Sequence, residues 1–368
     1  MARGGAGTDA YEDRIARLRL MRTATIGPIT YQQLLARFAT AAAAIEAVPE
    51  LARRGGGRPP AIAARAAVEA EVAAVERLGA RYLFWGEPPY PPLLADVGSA
   101  PPALIVLGDL RLLARPAVAI VGARNASAAA CRFARQLSAE LGAEGVLVVS
   151  GLARGIDTAA HQGALGSGTA GVVAGGIDVF YPPENEPLQR RMGEDGLVLA
   201  EQVPGVQPRA RHFPSRNRII AGLAQATVVV EAAPRSGSLI TARQAADFGR
   251  EVMAVPGSPL DPRAQGCNLL IREGATLIQS AADVMEMLRP MGGPVAEPAG
   301  GYRAPPASAD AGDADRRAVA TLLGPVPVPV DELVRQSGRP PAIVQTVLLE
   351  LELGGRLERH AGGRVSLI

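Results

Sequence analysis

Short stretches rich in arginine, serine and glycine each follow an apolar run in this 368-residue chain. Backbone N–H groups in such turns bind phosphate, together with the positive end of the helix that follows. Arginine adds a planar guanidinium that can donate two parallel hydrogen bonds to a phosphate. These stretches predict a phosphate-binding site that includes Gly122, Arg124, Ser150, Gly151, Arg154, Gly155, Arg235, Ser236 and Gly237.

A second basic region lies between Glu201 and Glu231, where no acidic residue occurs. The chain has 38 basic and 36 acidic residues, so its formal charge is only +2 and any attraction for anions must come from local clusters. The turns together offer more phosphate-binding groups than a single phosphate can use. The pattern therefore predicts an extended anion such as a nucleic-acid strand. The residues of this region that we assign to the site are Phe213, Arg216, Asn217 and Arg218, with Arg209 and Arg211 nearby.

Asp157 and His161 are four residues apart, so a helix would place them on one face. They could form a catalytic acid–base pair. We favour a structural interpretation, in which Asp157 stabilises the start of the helix and His161 hydrogen-bonds to it. There is no G-x-G-x-x-G motif, and Cys131 and Cys267 lack neighbouring ligands. The sequence therefore predicts no catalytic residue, no cofactor and no metal.

The apolar runs are short, rich in Val, Ile and Ala, and separated by helical patterns. Such runs are typical of strands buried on both faces of a parallel sheet. They predict an α/β fold, Rossmann-like and doubly wound, with a mostly parallel sheet. Ligands of such sheets bind beyond the carboxyl ends of the strands, where the basic turns fall. The predicted strands are 118–121, 146–149, 171–174, 197–200, 227–230, 252–255 and 276–278.

Helical patterns flank this central region. Residues 1–80 predict a helical domain, similar to SAM or helix-hairpin-helix domains, with a turn at 25–30 and a flexible break at 53–60. Residues 81–289 form the predicted Rossmann-like domain, and 290–313 a Gly/Pro/Ala-rich linker. Residues 314–368 predict a winged helix, with helices at 315–323, 330–337 and 341–353 before two strands. No signal segment or long apolar run occurs, so we expect a cytoplasmic protein without a membrane anchor.

The order of the motifs resembles the DNA-processing protein A (DprA/Smf) family of bacterial recombination mediators. The resemblance covers about the middle half of the chain. The residues that carry it include Val121-Gly122-Ala123-Arg124, Ser150 to Asp157 with His161, Gly176-Ile177-Asp178, Tyr181-Pro182 with Asn185, Phe213-Pro214, Arg216 to Ile220, and Ser236-Gly237-Ser238.

The resemblance implies a non-enzymatic protein that binds single-stranded DNA through the Rossmann-like domain and protects incoming DNA. It also implies a homodimer that loads the RecA recombinase in natural transformation and interacts with single-strand binding protein. By the same resemblance, Arg124 occupies the DNA-contacting position of the family's Gly-Ser-Arg motif, in which Ala123 replaces the serine.

Two alternatives stay open. One is a nucleoside-monophosphate-processing enzyme of the lysine-decarboxylase-like Rossmann group, although no acidic residue follows Ser236-Gly237-Ser238 where that chemistry needs one. The other is a transcription regulator that reads duplex DNA through the winged helix. Its candidate recognition helix, 341–353, has two glutamates and no arginine. We therefore expect the C-terminal unit to contact protein or to act weakly, and to be dispensable for strand binding.

Overall fold

The computed structural model describes residues 5–288, 310–360 and 362–368. Within them, the residues up to Ala70 and those from 310 onward form one compact unit, and the residues from Glu71 to 288 form a second. The predicted domain boundaries stay predictions. Of the predicted linker, 290–313, residues 290–309 lie outside the described part of the chain. No helix of the described part is long and apolar enough to cross a lipid bilayer.

The larger unit is built on a nine-stranded sheet in the order β1-β2-β6-β5-β4-β3-β7-β8-β9. All neighbouring pairs from β6 to β9 are parallel. The strands are β1 (Arg81–Phe84), β2 (Ala103–Gly108), β3 (Ala117–Gly122), β4 (Leu147–Ser150), β5 (Thr169–Val173), β6 (Leu197–Ala200), β7 (Ala226–Val230), β8 (Glu251–Ala254) and β9 (Thr276–Leu277).

Strands β1 and β2 were not predicted from the sequence. They pair with each other, and β2 pairs with β6, in both cases antiparallel. The intervening segment contains six prolines, and its local pattern indicates turns. β2 nevertheless has an apolar, largely buried sequence, so pairing with β6 decides its conformation.

Apolar cores cover both faces of the sheet. Along β3, Ala119 and Val121 belong to one core, whereas Val118 and Ile120 belong to the other. This alternation is the consequence of a strand that is buried on both sides. The helices that pack on the sheet include α6 (Ala128–Ala143), α7 (Ile156–Ala164), α8 (Glu186–Asp195), α9 (His212–Leu223), α10 (Gly237–Asp247), α11 (Gln265–Arg272) and α12 (Ala281–Leu288), with the shorter α5 (Pro92–Ala95). Helix α4 (Arg65–Arg77) precedes β1.

The strand order reverses between β3 and β7. From β3 the chain moves outward through β4, β5 and β6, then returns to the other side of β3 as β7 and continues to β8 and β9. Helices on either side of such a switch point diverge and leave a crevice beyond the strand ends. The predicted doubly wound, mostly parallel sheet is confirmed, and the crevice is where its ligands are expected.

The smaller unit combines N-terminal and C-terminal segments. The predicted turn at 25–30 separates two helices, but three occur before residue 55, because a second break follows Phe38. The C-terminal segment has three helices and a three-stranded sheet, which confirms the winged helix. The elements are α1 (Gly5–Arg22), α2 (Pro28–Phe38), α3 (Ala41–Arg54), α13 (Asp313–Thr321), β10 (Val328–Pro329), α14 (Val330–Ser337), α15 (Pro341–Leu353), β11 (Leu357–His360) and β12 (Arg364–Leu367).

Candidate nucleic-acid interface

Two cavities adjoin each other at the switch point. The larger, here called the cleft, has a volume of about 670 Å³ and is lined by the loop after β3, the start of α9 and the loop between β7 and α10. The smaller, here called the side pocket, measures about 60 Å³ and is lined by the loops after β4 and β5. Both cavities are lined by Arg124, Ala153, Phe213 and Arg216.

Arg216 lies on α9 at the boundary of the two cavities and is only 7% exposed. Among the described residues, its guanidinium forms no hydrogen bond or ion pair, and its Nε is buried without a partner. Burial lowers the pKa of Arg216 to about 10, with Asp157 raising it and Arg124 lowering it. The side chain therefore stays positively charged at neutral pH and faces the cavities with Asp157 as a nearby negative group, but without a hydrogen bond or close ion pair to it among the described residues.

Gly151, the residue after β4, makes this placement possible. A Cβ atom at this position would overlap the Arg216 guanidinium. Any other residue type would push the guanidinium away from the wall of the side pocket. The lack of a side chain at Gly151 therefore allows the Arg216 guanidinium to lie at this wall.

Aromatic side chains stand beside the two arginines. The guanidinium of Arg124 lies over the Phe213 ring, 5.2 Å from its centroid. The Phe213 and Tyr181 rings are 5.8 Å apart and tilted by 56°, and Tyr181 is 49% exposed. A cation over one ring and an exposed second ring offer both charge and a stacking surface.

Helix α10 begins at the opposite wall of the cleft. Ser236 is its N-cap and accepts a hydrogen bond from the Ser238 backbone N–H. Arg235, Ser236 and Gly237 all line the cleft, so the positive end of the helix faces the same space as Arg216. Across the switch point, Glu231 accepts hydrogen bonds from the backbone N–H and the hydroxyl of Ser127, which ties the loops after β3 and β7 together.

The loop of residues 151–153 is held from below by buried side chains. Asp157 Oδ2 accepts hydrogen bonds from the N–H groups of Gly151 and Ala153. His161 Nε2 accepts one from Leu152, and Asn185 Nδ2 donates to the Leu152 carbonyl. These three N–H groups thus point into the protein, contrary to the expectation that the amides near Gly151 would serve a phosphate.

The relation between Asp157 and His161 also differs from the prediction. Both are buried, but each bonds to the 151–153 loop rather than to the other. The His161 Nδ1 lies 2.7 Å from the Thr169 hydroxyl, which itself donates to the Val148 carbonyl, so Nδ1 carries the proton and donates. Burial, helped by Arg216, lowers the pKa of His161 to about 3, and burial raises that of Asp157. Both side chains hold the 151–153 loop, so the predicted hydrogen bond between them is wrong.

Family models match the chain along most of its length. The model for DNA recombination-mediator protein A matches residues 81–289, the DprA-like N-terminal HHH domain matches 11–74 and the DprA winged helix domain matches 303–363. The chain belongs to the DNA recombination-mediator protein A family. The resemblance predicted from the sequence is thus confirmed.

Individual members of this family are similar over long stretches. DNA processing protein DprA of Streptococcus pneumoniae is 49% identical over 198 residues, which is 53% of this chain and 70% of the relative. Protein Smf of Escherichia coli is 37% identical over 289 residues, 76% of this chain and 75% of the relative.

Two solved structures of family members share the fold. DprA of S. pneumoniae aligns with a TM-score of 0.57 at 44% identity and covers 61% of this chain and 77% of that one. DNA processing protein A of Helicobacter pylori aligns with a TM-score of 0.52 at 27% identity, covering 56% of this chain and 95% of that one. The H. pylori structure is described in terms of its single-stranded DNA binding mode.

Ten of the site residues predicted from the sequence line one or both cavities. Arg154 is among them, but its guanidinium pairs with Glu184. The ten residues are Gly122, Arg124, Gly151, Arg154, Phe213, Arg216, Asn217, Arg235, Ser236 and Gly237.

Three predicted residues do not line either cavity. Ser150 is fully buried and donates its hydroxyl hydrogen bond to the Ile120 carbonyl. Gly155 packs against the backbone of residues 123 and 124. Arg218 pairs with Glu201 at 2.5 Å and also donates to the Ser99 carbonyl, so its charge is already balanced.

Sequence reasoning missed Asn125 and Arg263, which also line the cleft. Asn125 directly follows the predicted Arg124, so extending that motif by one residue would have found it. Arg263 lies in a loop after β8 and pairs with Asp261 at 2.9 Å. A single arginine between proline and alanine carries no local signal that would have singled it out.

Proposed function

We propose that this protein binds single-stranded DNA in the cleft and acts as a recombination mediator. In this proposal the strand's phosphates contact Arg216 and Arg124 and pass toward the start of α10. Bases meet the exposed aromatic surface of Tyr181 and Phe213. The proposal rests most directly on one observation, the buried guanidinium of Arg216, which has no hydrogen-bond or ion-pair partner among the described residues.

A buried cation is costly unless an anion compensates it, and the penalty is several kcal/mol per ion. By contrast, Arg218 on the same helix is paired with Glu201. The Arg216 guanidinium instead faces an open cavity of the size that a nucleotide backbone can enter. A phosphate oxygen there would supply the missing hydrogen bonds and add a negative charge in direct contact with the guanidinium.

A single strand fits these surroundings better than a duplex. Stacking on an aromatic ring requires a base whose face is free, and bases in a duplex are stacked on their neighbours. Tyr181 and Phe213 stand next to the arginine pair, so one strand could engage phosphate and base at adjacent positions. The structure of the H. pylori relative is described in terms of its single-stranded DNA binding mode, which supports the same ligand here.

The nucleotide-processing alternative is not favoured. The side pocket is lined by no carboxylate, and the carboxylate that lines the cleft is that of Asp157, which already accepts two backbone hydrogen bonds. Helix α10 continues after Ser238 with Leu239, Ile240 and Thr241, so no acid follows the serine-glycine turn. The described lining therefore offers no free carboxylate and no imidazole as a general acid or base, and we propose a binding protein rather than an enzyme.

Family membership supports the wider role. We propose that the protein works in the cytoplasm as a homodimer, protects incoming DNA in transformation and loads RecA onto strands covered by single-strand binding protein. Light scattering should then give twice the chain mass of 38.0 kDa. Addition of the protein should shorten the lag of RecA ATP hydrolysis on such covered strands.

The decisive experiment is fluorescence anisotropy with a labelled oligo-dT and the matching duplex, over a range of salt concentrations. If four to six phosphates are neutralised, log affinity should fall with log salt at a slope near −3 to −4, at about −0.7 per phosphate. Arg216→Ala should weaken binding and make the slope shallower by about 0.7. Arg218→Ala is the matched control on the same helix. Salt-independent binding, or equal loss in both variants, would refute the proposal.

A further inference from the structure

Helix α15 occupies the position of the recognition helix in a winged helix, and almost all of it is buried. One side packs into the core of the winged helix, through Val344, Val347, Leu348 and Leu351. The opposite side contributes Leu349 and Leu353 to a different core, made with α1, α2 and α3. The helix therefore lies between two cores rather than at a surface.

Backbone packing at the end of α3 is close. A Cβ atom at Gly55 would overlap the backbone of Glu350, and one at Gly57 would overlap that of Gly354. Residues 53–60, predicted to be a flexible break, thus fit against the C-terminal end of α15. Arg356 donates a hydrogen bond to the Gly55 carbonyl at 3.2 Å.

Polar contacts extend the same surface. Gln33 on α2 donates to Gln345 on α15 at 2.9 Å. Arg54 pairs with Asp310 at 2.8 Å, and Arg37 pairs with the same carboxylate at 3.4 Å. These contacts join residues separated by 256 to 312 positions in the chain.

A recognition helix reads duplex DNA by entering the major groove, which requires one exposed face with donors for base edges. In α15 that face is covered by the N-terminal helices, and the helix has no arginine. Its polar residue Glu350 is 1% exposed and binds Arg316 from within the winged helix. Helix α15 is therefore neither accessible to the major groove of DNA nor equipped with side chains that read base edges.

We propose that α15 is a docking helix whose partner is the N-terminal helical domain of the same chain. The two ends of the chain then fold as one cooperative unit, and the winged helix does not read DNA through α15. This inference is independent of strand binding by the cleft.

Hydrogen–deuterium exchange on the full chain tests the proposal with a matched pair of glycine substitutions. Gly55 (φ −71°) and Gly27 (φ −82°) both have backbone angles that alanine adopts, but nothing lies within 4 Å of a Cβ at Gly27. Gly55→Ala should increase exchange about tenfold or more in both α3 and α15, because they open together. Gly27→Ala should leave α15 unchanged. Oligo-dT affinity serves as a check that the cleft is intact in both variants.

Faster exchange confined to the residues around Gly55, with α15 still protected, would overturn the proposal. Gain of duplex binding by Gly55→Ala would also overturn it, because α15 would then be a masked reader. If the Gly55→Ala chain does not fold, Leu349→Ala makes the same test, since Leu349 packs with the N-terminal helices. It should accelerate exchange in α3, and unchanged α3 protection would count against docking.

Discussion

Arg216 in the cleft and Arg316 in the winged helix are both largely buried, but their electrostatic surroundings are opposite. Arg316 donates to both oxygens of Glu350, at 2.8 and 2.9 Å, and this interaction raises its pKa. Arg216 has no such partner among the described residues, and burial lowers its pKa to about 10. Arg316 therefore contributes to the architecture, whereas we assign Arg216, which lacks a directly paired carboxylate, to the binding of an external anion.

The role of glycine also differs between the smaller unit and the cleft. At Gly55 the missing side chain lets one backbone approach another, which packs two segments of the chain together. At Gly151 it leaves room for the Arg216 guanidinium at a cavity wall. The first glycine serves the fold, and the second serves the charge that we assign to ligand binding.

The comparison predicts that removing the balanced arginine costs the most stability. Arg316→Met leaves the carboxylate of Glu350, which is 1% exposed, without its main partner. We expect the free energy of unfolding of the smaller unit to fall by about 3 kcal/mol, as measured by urea denaturation. Oligo-dT affinity should not change. Arg335→Met is the control, because its pair with Glu332 is on the surface and should contribute nothing measurable.

The unbalanced arginine should behave in the opposite way. Arg216→Met removes a buried charge and keeps most of the side chain's volume, so we expect the free energy of unfolding to rise by about 1–3 kcal/mol. Strand affinity should fall by about tenfold or more, because a charge-assisted hydrogen bond is lost. If Arg216→Met is less stable than the wild type and binds oligo-dT equally well, the proposed difference between Arg216 and Arg316 is wrong.

Sequence patterns located the ligand-binding edge of the sheet because valine-rich runs and the glycine turns after them are local features. They did not distinguish Arg216 from Arg218. Two residues apart on α9, these side chains point about 200° away from each other, so only one can face the cavities. That Arg218 would find Glu201, and Arg216 no partner, depends on how α9 is rotated against the sheet.

The packing of α15 against the N-terminal helices could not be predicted from the sequence for a similar reason. The bounds of α14 and α15 agree with the predicted 330–337 and 341–353, since each begins after proline and ends at glycine. Nothing local indicates that the glycines at 55 and 57 pack against residues nearly 300 positions later. A run of three glycines has the same composition in a flexible linker and in a close backbone contact.

His161 provides a pH test of the support beneath the cleft. Its pKa is about 3 in the folded chain, below the ordinary value of 6.5, so the unfolded chain binds more protons between these values. Stability contributed by neutral His161 is therefore present above pH 6.5 and is lost as the pH falls toward 3, by at most about 1.4 kcal/mol per pH unit. Asp157 acts in the opposite sense, because its pKa is raised and the folded chain retains its proton longer.

The His161 contribution is isolated by subtraction. Urea denaturation of the wild type and of His161→Gln between pH 7 and 5 should give a shallower pH dependence for the variant. Asp157 is present in both chains, so its effect largely cancels in the difference. Equal slopes would mean that His161 is protonated in the folded protein or is not buried.

Gly151→Ala should have the smallest effect, and it tests the comparison of the two glycines. The added methyl group overlaps the end of a long side chain, which can move into the open cavity at little cost to stability. We expect a change in unfolding free energy below about 1 kcal/mol but a several-fold loss of oligo-dT affinity, because the guanidinium leaves its position. Combined with Arg216→Ala, the alanine at 151 should cause no further loss, since the group it displaces is gone. An additive loss in this double-mutant cycle would show that Gly151 contributes to binding independently of Arg216.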